Sequence, residues 1–223
     1  MAARKMGNHH ALRVTPTIFK NPGEDYLVFF VWFGCGSAAL CPLWLGLLKY
    51  HLTERRKLMK DLNYREMAPQ FLKQVEEGAF LVVKGKDRVN IMTIGWAMVG
   101  VVWRRPILMV AVRTSRFTHG IIEGADSFTV SAPTGDMKKE INFCGSKSGR
   151  DLDKFKECRL STTKAKKVST PILIIPGYHF ECRITHKTPM DPKILSADRE
   201  KLYPAKDYHT LYFGEILASY LTE

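Results

Sequence analysis

Arg113, Ser115, Arg116 and Thr118 crowd together where an apolar run, Ile107-Leu-Met-Val-Ala-Val112, breaks off. Guanidinium groups offer forked donors, and hydroxyls and main-chain amides fill the oxygens left over, so such a cluster suits an anion, above all a phosphate. A branched apolar run that stops in this way reads as a strand delivering donors to one point. The solvated end of an ordinary edge strand would read the same, and the stretch alone does not choose.

Two further stretches carry chemistry. Asn90-Ile-Met-Thr-Ile-Gly-Trp-Ala-Met98 is a strand interrupted by Gly95 beside Trp96. Such a break exposes main-chain groups to a close neighbour, as the polar edge of a flat ring requires; a bulge in a core strand is the plainer account. Cys144-Gly-Ser-Lys-Ser-Gly-Arg-Asp-Leu-Asp-Lys154 joins small residues to cations. It is a loop suited to covering a phosphate or a second nucleotide, or else a solvated surface loop.

Other chemistries lack their companions. Ser161-Thr-Thr-Lys164 fits a Ser-x-x-Lys pattern without the partner motifs. His179-Phe-Glu181 fits a deaminase His-x-Glu, but no Pro-Cys-x-x-Cys follows. The remaining histidines have no ligand spacing, so no metal site is expected. Lys147 and Arg150 would favour a thiolate at Cys144, while a small cysteine more commonly packs in the interior.

The elements that must hold these residues can be read from periodicity. A short amphipathic helix from Asn63 places Met67, Phe71, Leu72 and Val75 on one face and stops at Gly78. Strands follow at Ala79–Val83 and Val89–Met98, a hairpin about the turn 85–88. Val99–Trp103 leads through Arg104-Arg105-Pro106 into the strand at Ile107. Further strands are expected at Ser127–Ser131, Tyr178–Thr185 and Thr210–Tyr220, with helical pieces at Thr118–Glu123 and Met137–Phe155. Many close strands, few long helices and no repeat predict a mainly β fold, a small barrel with helical inserts. The missing alternation of strands and long helices argues against a doubly wound dinucleotide fold, and no Gly-x-Gly-x-x-Gly or phosphate-loop lysine occurs.

The 223 residues carry 34 Lys plus Arg against 22 Asp plus Glu, a net charge of +12, which favours an anionic partner without naming it. Five cysteines without a Cys-x-x-Cys pair argue against a disulfide framework and for a reducing compartment. Residues 26–48 carry no charge and are long enough to cross a bilayer as a helix, followed at once by Lys49, Arg55, Arg56 and Lys57. Two readings stand: a membrane anchor with the following domain in the cytoplasm, or an extension of residues 1–58 foreign to the working protein, whose domain would begin at Met59. Gly34, Gly36, Gly46 and Pro42 make the run a mediocre helix.

The hairpin with Asn90-x-Met-Thr93, the strand ending in Arg113-x-Ser-Arg-x-Thr118, the Ser148-Gly-Arg-x-x-Asp-Lys154 loop and a final His209-Thr-x-x-x-Gly-Glu215 strand together resemble the flavin reductase-like family of FMN-binding split-barrel proteins, which includes flavin reductases and flavoredoxins. The resemblance spans about Met59 to Leu217. It implies a split β-barrel over 59–223 and a homodimer with FMN at the subunit interface. Thr93, Ile94, Gly95, Trp96 and Ala97 would line the flavin ring, mainly through main-chain groups. Arg113, Ser115, Arg116 and Thr118 would take the ribityl chain and phosphate. Ser148, Gly149, Arg150 and Lys154 would close over that phosphate or over an incoming NAD(P)H, and His209 would stand near the ring or the hydride donor.

The implied activity is hydride transfer from NAD(P)H to flavin, whose reactivity resides in the cofactor and needs no acid-base pair. A flavoredoxin-like carrier is the alternative, its basic Lys164, Lys166 and Lys167 steering an acidic redox partner protein. Binding of nucleic acid is disfavoured, because Trp96, Trp103 and Phe128 lie in apolar strands and do not alternate with basic residues on an exposed face.

Overall fold

Asn63 starts the first helix by accepting from the Arg65 amide through its side chain, a cap worth about 1 kcal/mol. The computed structural model describes residues 59–223. It begins with strand β1 (Met59–Asp61) and helix α1 (Tyr64–Glu77). Met67, Phe71 and Val75 bury one face of α1, whereas Leu72 is half-exposed at its margin. Gly78 ends the helix with φ 121, where its amide bonds the carbonyls of Gln74 and Val75. A side chain there would also strike Ile141, 2.5 Å away, so only glycine fits.

The strands that follow are β2 (Ala79–Lys84), β3 (Val89–Ile94), β4 (Ala97–Val102), β5 (Arg105–Arg113), β6 (Ser127–Pro133), the short β7 (Thr162–Thr163) and β8 (Ile172–Leu173), β9 (Gly177–Pro189) and β10 (His209–Thr222). Helices α2 (Phe117–Ile122), α3 (Lys138–Ser146), α4 (Lys154–Glu157) and α5 (Ala197–Glu200) sit in the connections. The sheet runs β3-β2-β6-β9-β10-β5-β4, all antiparallel, with β1 added to β10. Its two outermost strands, β3 and β4, are consecutive in the chain and joined only by Gly95 and Trp96. Edges tied by two residues must approach each other, so the sheet curls into a split barrel.

Phe128, Val130, Phe180, Tyr212, Leu108 and Val110 fill the interior, together with Met67 and Phe71 of α1. Phe71 meets Phe180 edge to face at 4.7 Å. Outside the barrel wall, Phe80, Val82 and Ile91 pack on Ile141 and Cys144 of α3 and on Leu173 and Ile175. Strand β2 is therefore buried on both faces, which is why its sequence is a solid apolar run with no alternation.

Two expected elements differ. The strand over 89–98 is two strands, β3 and β4, pairing with β2 and β5 respectively; Gly95 and Trp96 carry the chain from one edge to the other. The helical piece over 137–155 breaks at Lys147, and a new turn starts at Asp153, whose carboxylate caps Phe155 and Lys156. Ser146, Ser148 and Gly149 are poor helix formers, and tertiary contacts use the gap as a loop. Residues 1–58, read either as carrying an anchor at 26–48 or as an extension, lie outside the described residues. Among the described residues no helix is long and apolar enough to cross a membrane.

Candidate functional site

A cavity of about 140 Å³ opens between the end of β5, the start of α2 and the loop 147–153. Seven of the residues expected to bind a cofactor line it: Ser115, Arg116 and Thr118 from one side, Ser148, Gly149, Arg150 and Lys154 from the other. The two motifs stand some thirty positions apart in the sequence, and the packing of α3 across β2 and β3 brings them together.

Lys154 gives the cavity its character. The residue is only 4% exposed, its ammonium donates to the Cys144 carbonyl at 2.7 Å, and no carboxylate pairs with it among the described residues. Burial pulls its pKa below the ordinary lysine value, and the nearby Arg116 charge pulls the same way. Arg116 also lacks an acid among the described residues and donates to the Gly145 carbonyl at 2.9 Å. Two cations converging on one cavity, neither paired with a carboxylate among the described residues, form an arrangement suited to an anion.

The hydroxyls agree with this polarity. Thr118, buried, accepts from Asn90 Nδ2 at 2.8 Å, and Ser148 Oγ accepts from the Arg150 amide at 3.2 Å. Each is engaged as an acceptor, so each keeps its own proton to donate. Gly149 lies against Asn90 so closely that a Cβ would stand 2.1 Å from Oδ1. A side chain at 149 would push Asn90 off Thr118.

Arg113 is not among the cavity residues. Its guanidinium pairs with Asp207 at 2.7 Å, donates to the Leu202 carbonyl at 3.1 Å and lies over the Tyr203 ring at 4.9 Å. Ser115 joins the two groups, because it lines the cavity while its hydroxyl donates to Asp207 at 2.7 Å. Asp207 is held below the usual carboxylate range by the Ser115 hydrogen bond and then by Arg113. Asp207 and Tyr203 lie in the irregular segment before β10, with no spacing in the sequence to announce them.

The second cluster is aromatic. His209, 8% exposed, stacks tilted under Trp96 with ring centroids 4.5 Å apart and bonds Tyr203 through Nδ1 at 2.8 Å. Burial, then the Arg113 charge, pushes its pKa down to about 4, so the imidazole is neutral at pH 7. Gly95 and Trp96 are exposed, Ala97 is half-buried, and Ile94 is buried in the core. Thr93 turns its hydroxyl to the Ile141 carbonyl. Side chains of 93 and 94 are thus spent on the fold. What this stretch presents outward is the Trp96 indole and, along the free side of edge strand β3, alternate main-chain groups.

Cys144, His179 and Glu181 serve the fold. Burial pushes the Cys144 thiol up to about 12, which outweighs any thiolate stabilisation by the neighbouring cations. His179 and Glu181 are both fully buried. His179 bonds Ser131 at 2.9 Å, and Glu181 accepts from the Lys166 and Lys167 amides and from Tyr220.

Residues 73–223 match the model of the flavin reductase like domain. An uncharacterized protein of Archaeoglobus fulgidus is 30% identical over 138 residues, 62% of this chain and 68% of that protein. The flavoredoxin of Methanosarcina acetivorans is similar in structure with a TM-score of 0.51 at 26% identity, covering 66% of this chain and 68% of that one. The flavoredoxin of Desulfovibrio vulgaris (Miyazaki F) shares the fold with a TM-score of 0.52 at 22% identity, over 66% of this chain and 69% of its own.

Proposed function

Since this chain belongs to the flavin reductase-like family, we propose that it is an NAD(P)H-dependent oxidoreductase that holds FMN by its phosphate in the cavity of Arg116 and Lys154. The single observation that carries this reading is the buried Lys154 ammonium at a cavity where no carboxylate among the described residues pairs with it. The donor set fits a phosphate dianion: two cations, two hydroxyls with free protons, and a glycine where any side chain would collide.

From that anchor the ribityl chain would run past Ser115 and the ring would lie along Gly95, Trp96 and the outward main chain of β3. When bound, FMN supplies the redox chemistry, accepting a hydride from the nicotinamide and handing electrons on. The protein's own part is placement. Neutral His209 under Trp96 offers a polar edge without adding a charge, and Tyr203 fixes its orientation. Met98, Val101, Val102 and Trp103 leave an exposed apolar strip along β4, suited to cover by a second subunit in a homodimer.

The test is a titration of purified protein with FMN followed by anaerobic mixing with NADPH and NADH. Tight binding with loss of the oxidised flavin absorption on adding nicotinamide is expected. Protein that leaves FMN free in solution removes the proposal. Protein that binds FMN but is reduced only slowly by either nicotinamide would instead be a flavoredoxin-like carrier.

A further inference from the structure

The cavity mouth carries more positive charge than one phosphate neutralises. Arg116 and Lys154 suffice for the dianion of a flavin phosphate. Outside them stand Arg150, which lines the cavity, and Arg88 from the β2–β3 turn. Both guanidiniums lie against one ring, Phe117, at 5.5 and 5.0 Å from its centroid. Neither is ion-paired among the described residues.

The placement of Arg88 is built into the fold. Its carbonyl accepts from the Gly85 amide at 2.9 Å, closing the turn, and Gly85 lies so near Ile121 of α2 that a Cβ would come within 3.2 Å of it. The turn is thereby seated on the helix that begins with Phe117. Two like charges on one ring repel each other, and a shared anion removes that repulsion. A guanidinium stacked on an aromatic ring is also pre-oriented, so its forked donors meet a phosphate at a smaller entropy cost.

We propose that the mouth is a second phosphoryl subsite, in which Arg88 and Arg150 over Phe117 grip the phosphate of a dinucleotide beyond the flavin's own phosphate. The proposal rests on the flavin reading above. Two sources share this chemistry: the second phosphate of FAD, contiguous with the first, and a phosphate of the nicotinamide nucleotide that brings the hydride.

The experiment compares the wild type with Arg88→Gln, a substitution at an exposed residue outside the FMN cavity. Dissociation constants are measured for FMN and FAD, and KM for NADPH and NADH on the FMN-loaded protein. Arg88→Gln is expected to leave the FMN constant within about twofold and to weaken a dinucleotide about 5- to 20-fold, the loss of one exposed charge-assisted contact. Weakened FAD assigns the subsite to the flavin diphosphate. A raised KM for NADPH, alone or with NADH, assigns it to the donor. Arg150→Gln should repeat the pattern, with some loss of FMN affinity as well. Unchanged constants for FAD and both nicotinamides in Arg88→Gln overturn the proposal. Failure of wild-type protein to bind FMN would sink the flavin reading separately, and FAD and nicotinamide titrations would still judge the mouth.

Discussion

Replacing Lys154 by methionine keeps an apolar stem in a site that is 4% exposed and removes the ammonium alone. In the free protein that charge opposes folding. Burial holds its pKa below the ordinary lysine value, so the folded state disfavours the charged form. The cost is fully present below the folded pKa and disappears as the pH rises to the unfolded one, which leaves it in force at neutral pH. Methionine abolishes that cost and loses the bond to the Cys144 carbonyl, about 1 to 3 kcal/mol for an acceptor left buried and unpaired. The terms oppose each other, so the free variant should melt within about 4 °C of the wild type. With FMN the balance changes. Charge-assisted hydrogen bonds contribute about 1.5 to 3 kcal/mol, which corresponds to a Kd raised about 10- to 150-fold. With FMN at about 100 times the wild-type Kd, the ligand stabilises the wild type by about 2.7 kcal/mol and a 100-fold weaker variant by about 0.4 kcal/mol. At about 2 to 4 °C per kcal/mol for a chain of this size, the FMN-induced rise in Tm falls from about 5–11 °C to about 1–2 °C. Calorimetry with and without FMN measures both halves. A folded variant that keeps the full FMN-induced shift would refute the placement of the phosphate beside Lys154.

Arg116→Ala should weaken FMN binding about tenfold or more, whereas Arg113→Ala, whose guanidinium is engaged by Asp207, should cost less affinity and loosen the segment 202–208; the reverse ranking in a fluorescence titration would place the phosphate at Arg113. Gly149→Ala should destabilise the fold by about 1 to 3 kcal/mol, as overpacked sites do, because its Cβ would stand 2.1 Å from Asn90 Oδ1; chemical unfolding at the wild-type midpoint would contradict this. His209 and His179 are both pushed down to about 4, each by burial first. Between about pH 6.5 and 4 the unfolded chain binds protons that the fold refuses, so stability is lost as pH falls through that window, by a sum on the order of several kcal/mol. Urea unfolding at stepped pH should show the loss, with a shallower slope in His179→Gln, and a slope unaltered by that substitution would count against the assignment.

The barrel was legible because its strands declare themselves locally: Ile107 to Val112, Ser127 to Ser131 and Tyr178 to Thr185 are apolar or alternating runs bounded by turn residues. The helix from Asn63 to Gly78 was equally plain, since cap, period and stop agree. Strand β2 was read as a strand, but that both its faces are covered follows only from α3 packing on its outer side. Similarly, the break at Gly95 and Trp96 was visible, whereas the exchange of partners across it depends on which strands close the sheet.

For the candidate site, residue type and order were enough to propose Arg116, Thr118, Ser148, Gly149, Arg150 and Lys154, which line one cavity, because guanidinium, hydroxyl and glycine carry their chemistry wherever they stand. Composition cannot say which cation is already neutralised. Arg113 and Arg116 are three positions apart and alike in sequence, yet only the tertiary structure brings Asp207 to the first and leaves the second facing a buried lysine. Charge balance is a property of neighbours in space, and Asp207 lies 94 positions along the chain from the arginine it answers.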